Sequence, residues 1–336
     1  MPPKQLVLKH DPHILLETLH EDDHVLAIAK PFGVLAHPSP GFWARGTLAH
    51  ALVGRVSKEM MEERGNHNEW DSFIPRCIVH RLDAGTTGVM VLAKSPEAEI
   101  NLAQQLRAQD MLDTSPSGKK VYVALLLGHL GEQKSSCVVA SGSIGRHPKN
   151  NKMWTVTPAG KPAKTVFRVH AFSQKHGLSL VTAELFSGRT HQIRVHAACL
   201  GAPVANDKLY ASFHQPKAFQ AFCKGPLHKG LADKRQLLHA WALNIDHPLQ
   251  SARLQLRAPI PSDMANIIRQ VWPHLSNTTP VGWPNWPAEL PGFQEPKIAA
   301  ESRSISDMEK WWTEWWDSSA EGQAWLRDRD ASEKRQ

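Results

Sequence analysis

A succession of short, β-rich apolar runs, without a helix after each one, constrains this chain more than any other feature. His24–Ala29 (HVLAIA), Val89–Ala93 (VMVLA), Val121–Leu127 (VYVALLL), Thr165–Ala171, Ser179–Phe186, Leu237–Ile245 and Arg253–Ala258 read as strands. Residues 131–163, rich in Gly, Ser, Lys and Pro, read as shorter strands joined by long turns. Helical patterns are few. Thr47 reads as the N-cap of a helix to about Arg64, with Leu48, Leu52, Val56 and Met60 on one stripe. Glu97–Gln109 and Ser262–Val271 are amphipathic, and Thr190–Leu200 reads as a helix capped by Thr190 and stopped by Gly201. Strict strand–helix alternation is absent. That disfavours a doubly wound nucleotide fold and predicts an α+β fold on one large mixed sheet flanked by helices. Residues 211–236 read as a surface insertion.

The charge is unevenly placed. The 336 residues carry 39 Lys+Arg against 32 Asp+Glu, a net of +7. Residues 280–336 hold 7 basic and 11 acidic side chains, or −4, which leaves +11 for residues 1–279. A basic body with an acidic tail suits a polyanionic partner, because Lys and Arg displace counterions from phosphates. The 4 cysteines are scattered without a C-x-x-C pair, so neither a disulfide framework nor an all-cysteine zinc site is expected. No apolar run reaches the ~18 residues of a membrane helix, and residues 1–20 lack the apolar core of a secretory signal. The expected location is cytoplasmic, with an organelle left open. From Trp272 onward the chain is rich in Pro and holds 8 of the 12 Trp. Trp311-Trp312 and Trp315-Trp316 recur four residues apart and would line one helical face, a docking surface for the body or for a protein partner.

Three polar segments stand out: His80-Arg81-Leu82-Asp83 before Ala84-Gly85-Thr86-Thr87-Gly88; Lys119-Lys120-Val121-Tyr122; and Ser187-Gly188-Arg189-Thr190-His191-Gln192-Ile193-Arg194-Val195-His196. Singly, each has an ordinary reading: Asp83 as a turn former, Tyr122 as a strand residue, Arg194 as a solvated helix residue. The first segment is not the HRD loop of a protein kinase, since the order differs and no glycine-rich loop or DFG triplet accompanies it. His191 and His196 lie five residues apart with no Glu beside His191, which is wrong for a zincin, so no metal is expected.

Together, and in this order, the segments resemble the motifs of the RluA family of RNA pseudouridine synthases. Lys30-Pro31-Phe32-Gly33-Val34-Leu35-Ala36-His37-Pro38 is similar to that family's KPxGlxxHp loop, and Gly201–Tyr210 (GAPVANDKLY) to its GxPixGDxxY segment. Leu238-His239-Ala240 and His247-Pro248 resemble its closing strands. The resemblance runs from about His20 to Met264. It implies a pseudouridine synthase fold with a mainly antiparallel sheet. The expected catalytic domain covers 21–272, between an N-terminal arm over 1–20 and a Pro/Trp-rich acidic extension over 273–336 that lies outside the resemblance. Thr87 stands where the family often has Ser, and Asn206 where Gly is usual.

The resemblance also implies roles. Asp83 falls on the catalytic aspartate, Tyr122 on the active-site tyrosine, and Arg194 on the arginine that pairs with the aspartate. Arg81 matches the arginine that fills the space left by a flipped nucleotide. His80, Lys30, Arg189, His191 and Gln192 are expected to meet RNA, and Ile193 or Val195 to wall the uracil pocket. The residue types suit the chemistry. Converting uridine to pseudouridine breaks the N1–C1′ bond and makes a C5–C1′ bond with no net redox change or hydrolysis, so no cofactor is expected. It needs an ionised carboxylate, which a neighbouring Arg favours and orients. Tyr can stack on uracil and relay a proton, and the base must leave its stack. The expected function is a monomeric isomerase acting on uridine in rRNA ahead of tRNA. The rival is a catalytically silent, synthase-like RNA-binding protein acting in ribosome assembly.

Overall fold

The computed structural model describes residues 6–64, 73–108, 119–130, 137–276 and 301–303. In chain order the strands are β1 (Glu17–Glu21), β2 (Val25–Lys30), β3 (Thr87–Ala93), β4 (Lys119–Leu127), β5 (Cys137–Ser141), β6 (Ile144–Arg146), β7 (Trp154–Val156), β8 (Lys164–Ser173), β9 (Leu178–Leu185), β10 (Leu238–Asp246), β11 (Arg253–Arg257) and β12 (Glu301–Arg303). The helices are α1 (Leu48–Ala51), α2 (Pro96–Ala108), α3 (Gln192–Cys199), α4 (Ala211–His214), α5 (Pro216–Lys224), α6 (Ser262–Val271) and α7 (Pro273–Ser276).

Ten strands form one sheet in the order β1-β2-β3-β10-β4-β9-β8-β5-β12, with β11 also on β10, while β6 and β7 pair separately. Burial explains the sequence pattern. All seven residues of β3 are buried, so it reads as an unbroken apolar run, as expected of a strand covered on both faces. Toward the edge, β5 alternates buried and half-buried residues, as expected of a strand covered on one face.

Most pairings are antiparallel. At the centre, however, β10 runs parallel to β3 through His239↔Thr87 and Ala240↔Gly88, then pairs antiparallel with β11 from Ala242 onward. The register with β4 shifts between Ala240 and Ala242, so the strand is bulged where its partner changes. Gly88 permits this fork. Its φ is +122°, and a Cβ there would overlap the Ala240 backbone. Thr87 sustains the same point, its hydroxyl lying 2.8 Å from His239 Nδ1.

Several expectations change. The helix expected from Thr47 to Arg64 ends at Ala51, because Gly54 takes φ +86°, and only a single 3-10 turn, Glu59–Met61, follows. The stripe itself is correct, since Leu48, Leu52, Val56 and Met60 are all buried in one cluster. Thr190 does not cap α3. That position belongs to His191, in left-handed conformation, while Gly201 at φ +76° follows the helix as expected. The stretch 211–236 is no mere surface insertion: it carries α4 and α5 and ends in the buried Arg235 and Gln236. The 20/21 boundary falls inside β1, which pairs with β2. From the extension, α7 follows α6 and β12 pairs parallel with β5, while the Trp311–Trp316 face lies outside the described residues. No helix among the described residues is long and apolar enough to cross a membrane.

Burial holds a set of histidines neutral. His80 and His214 are pushed down to about 3, and His147, His170, His191, His196 and His239 to about 4, in each case chiefly by desolvation of the charged ring. Unfolded, these rings titrate near ~6.5. Between those values the unfolded chain binds more protons, so stability is lost as pH falls, at up to about 1.4 kcal/mol per pH unit for each histidine. Urea midpoints should therefore be clearly lower at pH 5.5 than at pH 7.5. Equal midpoints would show that these rings are not held neutral.

Candidate active site

The site is built around one guanidinium. Arg194, in the first turn of α3, is 4% exposed and lies between two carboxylates. Its Nε and Nη2 donate to Asp207 Oδ2 and Oδ1 at 2.6 and 3.0 Å. Its Nη1 donates to Asp83 Oδ2 at 2.8 Å. Asp207, wholly buried, spends one oxygen further on the backbone N–H groups of Leu209 and Tyr210, which fixes the carboxylate before it fixes the arginine. The Tyr210 ring lies 5.0 Å beneath the guanidinium.

Asp83 occupies the turn that leads into β3. The turn is closed by Thr86 N–H donating to the Asp83 carbonyl at 3.0 Å and by Gly33 N–H donating to the Ala84 carbonyl at 2.8 Å. The Asp83 side chain is 22% exposed. Burial alone would raise its pKa. The charge of His191 when protonated, together with the charge and hydrogen bond of Arg194, outweighs burial and holds the carboxyl below its usual value. His191 faces the same oxygen, its Nε2 at 3.6 Å, while its Nδ1 lies 2.9 Å from the Tyr210 hydroxyl. With φ +58° it holds a conformation that non-glycine residues rarely adopt.

Asp83 lines two spaces. One is a cavity of about 600 Å³, lined by His37, Pro40, Lys208, Lys234 and Gln236 among others. The other is a smaller pocket of about 70 Å³, walled by Tyr122, Leu185, Ile193 and Leu238. Arg81, Leu82, His191 and Arg194 line both. Asp83, Tyr122 and Arg194 therefore converge, although 111 residues separate the two partners of the ion pair. Burial, and then the charge of Asp83, push the Tyr122 hydroxyl well above its ordinary pKa, so it stays protonated.

Some of the other expected site residues have their polar groups taken up by the fold, and others line the two spaces. Lys30 is 1% exposed, and its ammonium donates to the Pro31 and Val34 carbonyls at 2.9 and 2.8 Å, so it shapes the loop rather than meeting RNA. Desolvation brings it down to about 7 against the pull of Asp83. His80 Nε2 accepts the Val91 N–H at 2.9 Å, which ties the ring to β3. Gln192 is buried, its oxygen accepting from the Ser187 hydroxyl and Arg189 N–H and its nitrogen donating to the Lys164 carbonyl and Thr165 hydroxyl, so its amide is fully used. Of the two apolar candidates, Ile193 lines the smaller pocket, while Val195 packs into a separate cluster with Met153 and Tyr210. Arg189 lines the smaller pocket and donates to the Pro162 carbonyl. Arg81 is exposed on the rim, with Nη1 3.3 Å from His37 Nε2. Sequence reasoning misses Asp207 and Tyr210, although both lie in the GAPVANDKLY segment. A buried arginine that needs a second counter-ion is the available signal. No cluster of three or more His, Cys, Asp or Glu able to hold a metal occurs among the described residues.

Comparison with known proteins agrees with this geometry. A family model described as RNA pseudouridylate synthase matches residues 24–199. Ribosomal large subunit pseudouridine synthase D of Nitrosomonas europaea is 38% identical over 272 residues, covering 80% of this chain and 69% of the relative. The protein of the same name from Xanthomonas campestris is 35% identical, covering 79% of this chain and 73% of the relative. The solved human protein RNA pseudouridylate synthase domain containing 1 shares the fold, with a TM-score of 0.52 at 21% identity, over 80% of this chain and 90% of its own. With that match across half the chain and relatives of this identity, the chain belongs to the RNA pseudouridylate synthase family, in the RluA group whose motifs it carries.

Proposed function

We propose that this enzyme isomerises uridine to pseudouridine in large-subunit ribosomal RNA, with Asp83 as the catalytic carboxylate. The observation that carries the reading is the Asp83–Arg194 pair, which lines both a cavity of about 600 Å³ and the pocket of Tyr122 and Ile193. That volume falls within the ~300–1,000 Å³ range of small-molecule sites. The substrate is taken from the bacterial relatives, which are named for the ribosomal large subunit. The same reading makes RNA the partner, the cytoplasm the location and the monomer the working form.

The steps follow from the side chains. The nucleotide leaves its stack, and Arg81 on the rim fills the gap. The Asp83 carboxylate, ionised and aimed by Arg194, attacks C1′ as the N1–C1′ bond breaks. The freed uracil turns between Tyr122 and Ile193 and presents C5, which displaces the carboxylate to form the C5–C1′ bond. The proton on C5 leaves and a proton returns to N1, so atoms and charge balance without a redox partner. Tyr122, still protonated, offers its ring face to the uracil and its hydroxyl to the proton transfer.

Two tests follow. Protein-free large-subunit rRNA from cells lacking the enzyme should gain pseudouridine with the wild type. Asp83→Asn should slow product formation by at least about 10³-fold while RNA binding stays within a few-fold, as read by carbodiimide adduct sequencing and filter binding. Matching maps for the two proteins would favour the catalytically silent, RNA-binding alternative. The second test concerns stability. Asp207→Ala leaves the buried Arg194 with one half-buried partner and should cost about 3–5 kcal/mol in urea melts. Asp83→Ala leaves the Asp207 pair intact and should cost under about 1 kcal/mol. The reverse order would mean that Asp207 does not hold the arginine.

A further inference from the structure

Three non-glycine residues have positive φ among the described residues, and all three border the site: His191, Asn206 and Lys234, at +58°, +58° and +61°. His191 faces Asp83, and Asn206 precedes the Asp207 that grips Arg194. Lys234 lies at the end of the 211–236 stretch, has no place in the chemistry above, and carries a long side chain in a conformation that few residues other than Gly and Asn adopt readily. Such strain persists only where its surroundings over-determine it.

The surroundings of Lys234 do so. The next residue, Arg235, is 1% exposed, and its guanidinium ties the stretch to the catalytic turn. Nη1 donates to the carbonyls of Gly85, Gln236 and Leu238, Nη2 donates to the Thr87 hydroxyl, and Nε pairs with Asp263 at 2.9 Å. From the other side, Asn206 Nδ2 donates to the Ala232 and Arg235 carbonyls, and its Oδ1 meets His228 Nε2. Every one of these Asn206 contacts goes to the 211–236 stretch. The approach to the catalytic turn is close enough that a Cβ on Gly85 would overlap the Lys234 carbonyl and the Gln236 side chain.

This clamp leaves the Lys234 side chain exposed on the wall of the larger cavity that Asp83 also lines. The other lysine on that wall, Lys208, is paired with Asp233. The Lys234 ammonium forms no ion pair within 4.0 Å among the described residues, and its charge adds only a secondary pull on the Asp233 carboxylate that Lys208 already holds. A cation whose backbone is fixed in a strained turn on the cavity wall, with its side chain exposed, suits a phosphate oxygen of the strand from which the nucleotide is extruded.

We propose that Lys234, held in its left-handed turn by Asn206 and Arg235, binds a backbone phosphate next to the extruded nucleotide and thereby sets the register of RNA in the cleft. This rests on the uridine-isomerising reading given above. Lys234 is a binding and positioning residue, since Asp83 does the chemistry.

The test separates the charge from the backbone. Asn tolerates the left-handed conformation, so Lys234→Asn keeps the turn and deletes the ammonium, whereas Lys234→Arg keeps the positive charge. With a protein-free transcript of large-subunit rRNA, filter binding across a salt series should give Lys234→Asn a slope of log K against log[salt] shallower by about 0.7–0.9. Lys234→Arg should match the wild type. In turnover, Lys234→Asn should raise KM about 3- to 10-fold and lower kcat less than twofold. An unchanged salt slope for Lys234→Asn, or a loss in kcat alone with KM unmoved, would overturn the assignment. Failure of the underlying reading looks different: wild-type protein then binds the transcript with the steeper slope but makes no pseudouridine.

Discussion

The Arg194 guanidinium is shared between two carboxylates with different tasks, and the rest of the site depends on that sharing. Asp207 is wholly buried and bound at both oxygens, so it can only be structural. Asp83 receives the one remaining edge of the fork and keeps partial access to the cavity. A buried arginine with a single carboxylate would be a neutral pair, and its partner would have little reason to stay reactive. With two, the fixed carboxylate settles the orientation of the guanidinium, and the guanidinium then keeps the second carboxylate ionised against its own desolvation. The bidentate geometry matters because a lysine ammonium could not divide its donors between two planes in this way.

Backbone strain gathers around this charge cluster. His191 and Asn206 lie in left-handed conformations on either side of it, and Lys234 in a third on the cavity wall. Each is offset by hydrogen bonds made nearby: with Tyr210 for His191, with His228 and two carbonyls for Asn206, and through the Arg235 anchor for Lys234. Asn206 shows how a departure from a family pattern can be accommodated. Glycine would supply the conformation at no steric cost, but it could not hold the 232–235 backbone. The asparagine accepts some strain and gains an anchor.

Much of this is legible in the sequence, for identifiable reasons. The strands of the sheet's interior are readable because burial on both faces leaves unbroken apolar runs such as VMVLA and VYVALLL. The convergence of Asp83, Tyr122 and Arg194 is not readable from periodicity, since no local pattern spans 111 residues, and it comes from the joint motif resemblance. Errors fall where environment decides the role of a polar residue. Lys30 and Gln192 look like substrate contacts in a motif, but each is consumed by backbone and hydroxyl partners that only the fold supplies. The helix expected after Thr47 fails for a local reason, because a stripe of buried residues at helical spacing survives when Gly54 breaks the backbone that would carry it. Exposed β1 gives little apolar signal, so only its pairing with β2 reveals it.

The fork in β10 explains why these distant segments meet at all. An all-antiparallel sheet would send the segments that precede two neighbouring strands to opposite ends. Because β3 and β10 run parallel, the Asp83 turn that precedes one and the Lys234–Gln236 segment that precedes the other arrive at the same end. The parallel contact is short, His239↔Thr87 and Ala240↔Gly88, and it is held where no side chain intrudes at Gly88 and where Thr87, His239 and Arg235 share hydrogen bonds. Beyond Ala240 the strand gives that edge to β11, and the bulge absorbs the change of partner. The catalytic turn is therefore positioned from both sides: by the Arg194–Asp207 pair across the cleft and by Arg235 from behind. A substitution that loosened the fork would move Asp83 relative to its arginine without touching either residue.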